Sequence, residues 1–319
     1  MITSAQPEVV TVTANTGIDL IYFIPSFEAG RTLRASSVIE SMGGKPTDCS
    51  WILGEMGIPS LALGLAAGQT GESLKRMLHE KGVTTDFIPV EGESRRNLII
   101  APQDGTPHTA ITSASLIVRD EHVAALRDRY IAALDGCELV VLGGTLPKGI
   151  KPEFYTDMIA LARARNIPVI FDAGEPNLSA GLKSQPNTIK PNRDELSGLV
   201  GRPIVTVEDA YSAGREVLER YGTIPVISLG GDGGLVVTPD HAYRIPPLKV
   251  PVVNAAGAGD AVLAGLAAAV VRGLPIEDGL RLGFGAATAV VTTPGTAECS
   301  RAEIERYAAQ IELLAYEPV

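Results

Sequence analysis

Val252-Val253-Asn254-Ala255-Ala256-Gly257-Ala258-Gly259-Asp260-Ala261-Val262-Leu263-Ala264-Gly265 is the stretch whose reading decides the fold. An apolar lead-in, Val250 to Val253, enters a turn whose two glycines allow tight backbone geometry. The alanine-rich segment Ala261 to Val271 that follows favours helix, so the turn opens a helix. Amides at a helix N-terminus have no intrahelical partner and point outward with the positive end of the macrodipole. Gly257, Ala258 and Gly259 are therefore expected to form an anion cradle. Asp260, in the first turn, sets a carboxylate beside it. An anion hole next to a base suits transfer of a phosphoryl group to a hydroxyl: the amides hold the migrating charge while the carboxylate takes the proton. The plain alternative is an ordinary Gly-x-Gly turn with an acidic residue complementing the helix dipole. The spacing differs from a P-loop, which needs Lys-Ser/Thr after its last glycine, and from the dinucleotide fingerprint, which should follow the first strand.

The 319 residues are long enough for one large domain or two ordinary ones. With 45% hydrophobic, 20% charged and only 5% aromatic residues, the composition is that of a globular protein with an aliphatic core. No apolar run approaches the ~18 to 20 residues of a membrane helix. Met1 to Glu8 lacks the charged and apolar regions of a signal peptide, so no membrane partner and a cytoplasmic location are expected. Cys49, Cys137 and Cys299 are widely separated and odd in number, which argues against a disulfide framework and structural zinc. A net charge of −10 disfavours a broad grip on nucleic acid. A small anion held by a local arginine cluster remains compatible with it.

From about residue 115 onward, strand-like and helix-like runs alternate: Leu139 to Gly143, Pro152 to Arg165, Pro168 to Asp172, Asn192 to Val200, Val207 to Arg220 and Pro225 to Leu229. This predicts βαβ units, a mostly parallel central sheet and helices on both faces, an α/β architecture in three α/β/α layers. The first third differs. Val9 to Thr13 reads as a first strand, but Leu20 to Ile24, Ser36 to Ser41, Arg96 to Ala101 and His108 to Thr112 lack a helix between each neighbouring pair and suggest a small separate sheet. A lid of this kind exposing Ile21, Phe23 or Ile99 would need a partner, often the same lid of a second subunit. Gly43-Gly44-Lys45-Pro46 leads into a helix-like run, Thr47 to Met56, with Pro46 suited to a first helical position. Alone it reads as an ordinary turn and helix start.

Asn254-Ala-Ala-Gly-Ala-Gly-Asp260 before a small-residue helix resembles the C-terminal signature of the ribokinase-like, phosphofructokinase-B family of sugar kinases. The resemblance extends along most of the chain. Asn15-Thr-Gly-Ile-Asp19 is similar to the family's early Asn-Pro-Ala-x-Asp, which implies that Asp19 binds sugar hydroxyls. Gly30-Arg-Thr-Leu-Arg34, Gly43-Gly44-Lys45 and Glu93-Ser-Arg95-Arg-Asn97 resemble segments of the phosphosugar branch, and Gly143-Gly144-Thr145-Leu-Pro147 resembles its Ser-Gly-Ser-Leu-Pro. Lys190-Pro-Asn192-Arg-Asp-Glu195 resembles Lys-Pro-Asn-x-x-Glu, in which Asn and Glu organise Mg²⁺ through water and phosphate. On their own, Asn192 and Glu195 read as a helix cap with its capping-box partner. Ser228-Leu-Gly230-Gly231-Asp-Gly233 resembles a turn along the nucleotide phosphates.

The resemblance implies one ribokinase-like domain over residues 1–319, with a β lid from about 18–42 and 94–113 that covers the sugar and makes a homodimer. It also implies an ATP- and Mg²⁺-dependent kinase close to the 1-phosphofructokinase and tagatose-6-phosphate kinase branch. Asp260 is the expected base, with the amides of Gly257, Ala258 and Gly259 around the moving phosphoryl group. Asp19, Arg34, Gly43, Gly44, Lys45, Asp48, Arg95 and Thr145 are expected on the acceptor. Lys190, Asn192, Glu195, Ser228, Gly230, Gly231, Gly233, Asn254, Gly257 and Gly259 are expected on the nucleotide. Arg34, Lys45 and Arg95 argue for an acceptor that already carries a phosphate, because charge-assisted bonds serve no purpose on a neutral sugar. The chain departs from the family at Pro46, where a glycine is lost, at Asp48, where asparagine touches the sugar, at Thr16 and at Gly143. An aspartate at 48 is expected to accept hydrogen bonds but not donate them. A same-fold kinase of a free sugar or nucleoside, and a nucleotide-binding regulatory module without turnover, are the competing readings.

Overall fold

The computed structural model describes residues 7–113 and 116–318; most of the N-terminal stretch read above, Met1 to Gln6, lies outside them. In chain order the first half holds β1 (Val9–Thr13), β2 (Gly17–Ile24), β3 (Ser37–Gly43), α1 (Lys45–Glu55), β4 (Ser60–Ala66), α2 (Gly68–Glu80), β5 (Thr84–Pro89), β6 (Glu91–Gly92), β7 (Arg95–Pro102), β8 (Thr109–Ile111), β9 (Leu116–Ile117) and α3 (Asp120–Ala133). The second half holds β10 (Leu139–Gly143), α4 (Glu153–Arg163), β11 (Val169–Asp172), α5 (Asn177–Leu182), β12 (Thr188–Ile189), α6 (Arg193–Val200), α7 (Val207–Tyr221) and β13 (Ile224–Ser228). A 3₁₀ turn (Gly230–Asp232), β14 (Gly234–Val237), β15 (Ala242–Ile245), α8 (Ala258–Val271), α9 (Ile276–Val291), α10 (Arg301–Ala308) and β16 (Leu314–Ala315) complete it.

A ten-stranded sheet runs in the order β16-β15-β14-β13-β12-β11-β10-β1-β4-β5. It is parallel from β5 to β13 and antiparallel beyond. The central strands are buried on both faces, so they read as continuous apolar runs: Leu139-Val140-Val141-Leu142 in β10 has no exposed member. Alternation then assigns each side chain to a layer. Val10, Val12, Val140 and Leu142 point into a core with Leu126 and Tyr130 of α3, Tyr155 and Met158 of α4 and Val217 of α7. Val9, Leu139 and Val141 point the other way, onto Ile52 and Leu53 of α1, Ala264 and Ala267 of α8, Val290 of α9 and Ile304 of α10. Each aliphatic side chain so buried contributes about 1.5 to 3 kcal/mol.

A second sheet, in the order β3-β2-β7-β8, stands apart from this sandwich. Its register pairs Asp19 with Asn97 on one face and Tyr22 with Val38 and Ile100 on the other. Here the expected phase is reversed. Ile21, Phe23 and Ile99, expected outside, are buried on the inner face with Ala101, against Ile39 and Ala256. The apolar surface left outside belongs to the alternate residues: Val38 and Ile111 are exposed, and Leu20, Tyr22, Leu98 and Ile100 half-buried. Both faces carry aliphatic residues, so a period of two could not say which one turns inward.

Candidate active site

The expected site residues gather where the parallel strands end. Gly143 closes β10, Asp172 closes β11, Lys190 follows β12 and Ser228 closes β13, so chain segments far apart in sequence open onto one crevice at the carboxyl edge of the sheet. Ser228 pairs through its backbone with Asn192, which joins two of the expected nucleotide segments directly. Gly230 and Gly231 form the 3₁₀ turn that follows, and Gly233 leads out of it. Beside this turn Arg193 and Asp232 are ion-paired.

The helix predicted after the Gly-Ala-Gly turn is α8, and its N-cap is Gly257 in the left-handed region at φ 81°. A side chain there would meet the Ala297 backbone nitrogen at 2.5 Å, so conformation and close packing both require glycine. Asn254 shapes the approach from inside: its Nδ2 donates to the Pro294 carbonyl at 3.0 Å, and its Oδ1 accepts from the Ala256 amide at 3.1 Å. It builds the loop that presents the cradle, whereas the sequence suggested contact with the nucleotide. Lys190 brings a cation to the cradle, with Nζ 3.1 Å from where a Cβ on Gly259 would stand.

Behind the cradle lies a charge network centred on Asp172, a fully buried carboxylate that the sequence reading did not single out. Lys45 Nζ donates to Asp172 Oδ1 at 2.6 Å and to Glu195 Oε1 at 2.7 Å. Lys190 Nζ stands 3.1 Å from Asp172 Oδ2 as an ion pair. Burial alone would push Asp172 up, but Lys190 and Lys45 outweigh it and hold the carboxyl below its ordinary range. Lys45 was expected on the acceptor; its ammonium is instead committed to these two carboxylates. Asn192 and Glu195 form the reciprocal capping box of α6, Asn192 Oδ1 accepting from the Glu195 amide at 2.8 Å and Glu195 Oε2 from the Asn192 amide at 2.9 Å. The only sequence signal for Asp172 was its place at the end of a buried parallel strand.

Asp260, in the first turn of α8, is half-buried at the junction of this network and the inner face of the small sheet. Burial, with the charge of Asp172, raises its carboxyl to about 7, against the opposing pull of Lys45, Lys190 and a hydrogen bond with Asp48. A carboxylate tuned near neutrality suits a general base. Asp48, on the first turn of α1, is 2% exposed. Burial and the neighbouring charges of Asp260 and Asp19 push it well above the ordinary carboxylate range. It was expected to be an ionised acceptor; burial beside Asp260 and Asp19 favours its protonated form instead.

The small sheet supplies the other wall. Asp19 Oδ1 accepts from Asn97 Nδ2 at 2.7 Å and Oδ2 from Thr296 Oγ1 at 3.2 Å. Gly43 permits this approach, since a Cβ there would lie 2.6 Å from Asp19 Oδ1. Gly44 is the N-cap of α1. Arg95 is 9% exposed, yet its one hydrogen bond within the described protein is from Nη1 to Thr145 Oγ1 at 3.3 Å, and its Nε is buried without a partner. Asn15 Nδ2 also donates to Thr145 Oγ1, at 3.0 Å. Arg34 is not gathered into this wall: it lies on the exposed connection between β2 and β3, with no hydrogen bond or ion pair among the described residues.

Comparison with known proteins agrees with this geometry. Residues 7–303 match the model of the pfkB family of carbohydrate kinases. The 1-phosphofructokinase of Bacillus subtilis strain 168 is 32% identical over 290 residues, covering 90% of this chain and 94% of that protein. The 1-phosphofructokinase of Escherichia coli K12 is 28% identical over 305 residues, covering 96% and 97%. Among solved structures, a possible 1-phosphofructokinase of Thermotoga maritima superposes with a TM-score of 0.88 at 26% identity, covering 97% of this chain and 99% of that one. Phosphofructokinase-2 of Escherichia coli in complex with substrates and products superposes at 0.87 with 24% identity, covering 95% and 99%; it matches in fold.

Proposed function

We propose, from the premise that this chain belongs to the pfkB family of carbohydrate kinases, that it transfers the γ-phosphoryl group of ATP to a hydroxyl of a ketohexose phosphate. The observation that carries this reading is the junction at Asp260: a carboxyl tuned to about 7, in the first turn of a helix whose open end carries free amides and a lysine. Asp260 takes the hydroxyl proton, while the amides at Gly257 to Gly259 and the Lys190 ammonium face the charge that develops on the phosphoryl oxygens. Arg95 supports a phosphorylated acceptor. A buried guanidinium whose Nε has no partner is costly unless an anion meets it.

The nucleotide phosphates are proposed to lie along Gly230 to Gly233 and the α8 mouth. Mg²⁺ fits Asn192 and Glu195 only through water and phosphate, because their polar atoms already serve one another and Lys45. No group of three His, Cys, Asp or Glu among the described residues could hold a metal. When bound, the ion neutralises charge between the phosphates. The small sheet is proposed to act as a lid and, through its apolar outer face around Val38, Tyr22 and Ile111, as the contact of a homodimer. Among the described residues no helix is long and apolar enough to cross a membrane, and all three cysteines are free and buried, which suits the cytoplasm.

The test is ATP consumption with fructose 1-phosphate, fructose 6-phosphate, tagatose 6-phosphate, fructose, ribose and a nucleoside. The expected result is turnover on one or more of the phosphorylated ketohexoses. Turnover only on a free sugar or nucleoside would overturn the acceptor assignment. ATP binding without turnover on any of them would make the chain a regulatory module.

A further inference from the structure

We propose that Asp48 and Asp260 act as one carboxyl pair sharing a single proton, with Asp48 the donating acid, so that Asp48 is a positioning residue that orients the base and sets the alkaline limit of the reaction. This rests on the reading of Asp260 as the group that receives the acceptor's proton.

The geometry comes from two helix starts. α1 and α8 pack together through Ile52, Leu53, Ala261 and Ala264, which brings the first turns of both helices side by side. The carboxyl groups of Asp48 and Asp260 are in hydrogen-bond contact there. Around them stand Asp19 from β2, Arg95 from β7, Asp172 from β11, Lys190 beyond β12, and Lys45 and Cys49 on α1 itself. Lys45 and Lys190 pull on Asp260 and Arg95 on Asp48 through space, but among the described residues none of these cations hydrogen-bonds or ion-pairs with the two carboxyls. Lys45 bonds to Asp172 and Glu195, Lys190 pairs with Asp172, and Arg95 hydrogen-bonds to Thr145. The hydroxyl and amide donors nearest Asp19 are taken by Asp19. Asp48 Oδ1 is buried with no ordinary donor in reach. Two ionised carboxylates in such contact would repel strongly in a buried pocket, so one proton stays between them. Asp48, the more deeply buried of the two, keeps it.

A protonated Asp48 can do what an ionised one cannot: donate to Asp260 and fix which oxygen of the base faces the acceptor. The pair then carries one negative charge. As the acceptor oxygen bonds to the γ-phosphorus, its proton passes to Asp260, and the P–O bond to ADP breaks with its electron pair going to the ADP oxygen. The pair ends with two protons and no charge beside the new phosphate ester. In alkali the shared proton is lost, the pair carries two charges, and both anionic reactants are repelled.

The experiment compares native enzyme, Asp48→Asn and Asp48→Ala in kcat/KM for fructose 1-phosphate against pH, at saturating ATP, alongside ¹³C NMR of aspartate-labelled protein. The native profile should be bell-shaped. Asp48→Asn, which still donates but cannot titrate, should keep the acid limb and lose the alkaline one. Asp48→Ala should move the acid limb up by about one pH unit, since Asp260 loses its donor. One aspartate carboxyl should remain protonated past neutrality in native enzyme, and its signal should vanish in Asp48→Asn. An alkaline limb that persists in Asp48→Asn, or no such carboxyl in native enzyme, overturns the proposal. If native enzyme consumes no ATP with any acceptor, the kinase reading fails, and the NMR titration decides the fate of the pair by itself.

Discussion

The sheet-edge network and the pocket beneath the small sheet treat their polar atoms in opposite ways. Around Asp172, each charge has a partner: Lys45 joins Asp172 to Glu195, Lys190 flanks them, and Asn192 and Glu195 cap one another. Under the small sheet, Arg95 Nε, Asn97 Oδ1, Asn15 Oδ1 and Asp48 Oδ1 are buried with no protein partner. Buried polar atoms without partners cost free energy that a ligand can recover. The first region is a scaffold whose charges are all paired, Asp172 Oδ2 meeting Lys190 as an ion pair without a hydrogen bond, and the second is a pocket finished by what binds there. Asp260 stands between them.

Removing the residue at the junction should have the largest effect. Asp260→Asn is expected to lower kcat by roughly 10²- to 10⁴-fold with little change in ATP affinity, read by steady-state kinetics and calorimetric titration. Unchanged turnover would detach Asp260 from the chemistry. In native enzyme the base works only when ionised, so the acid limb of kcat/KM should rise through about 7, below the alkaline limb assigned to Asp48. An acid limb near pH 4 would contradict the raised carboxyl.

Next comes the scaffold. Asp172→Ala leaves two lysines facing each other without their shared carboxylate and should cost about 3 to 5 kcal/mol of stability, measured by denaturant unfolding. A loss below about 1 kcal/mol would place it among ordinary surface pairs.

The pocket should answer differently, through binding. Arg95→Ala is expected to raise KM for fructose 1-phosphate roughly 10- to 100-fold while leaving KM for free fructose nearly unchanged and the fold intact. Equal rises for both sugars would show that Arg95 does not meet the phosphate. The smallest effect is local: Asn192→Ala removes one side of the α6 capping box and should cost about 1 kcal/mol, with the melting temperature as its readout.

What could be read in the sequence follows the same division. The α8 mouth was legible because only glycine tolerates the backbone at position 257, and the α6 start because a capping box needs its two polar residues at fixed spacing. The parallel sheet was legible because its strands are buried on both faces and flanked by helices. Three features were not. Asp172 is a lone acidic residue after an apolar strand, and its importance lies in two lysines supplied by other segments. The direction of Lys45 depends on where β11 and α6 end in space. Ile21, Phe23 and Ile99 share a sheet with equally apolar neighbours on the opposite face, so which face turned inward depended on what each could pack against.

The most direct measurement is a crystal structure of the protein with fructose 1-phosphate and a non-hydrolysable ATP analogue bound together. The account predicts an acceptor hydroxyl within about 2.6 to 3.2 Å of an Asp260 oxygen, the sugar's phosphate against Arg95, and the γ-phosphate at the amides of Gly257 to Gly259. A hydroxyl facing away from Asp260, with the γ-phosphate seated elsewhere than the mouth of α8, would contradict it.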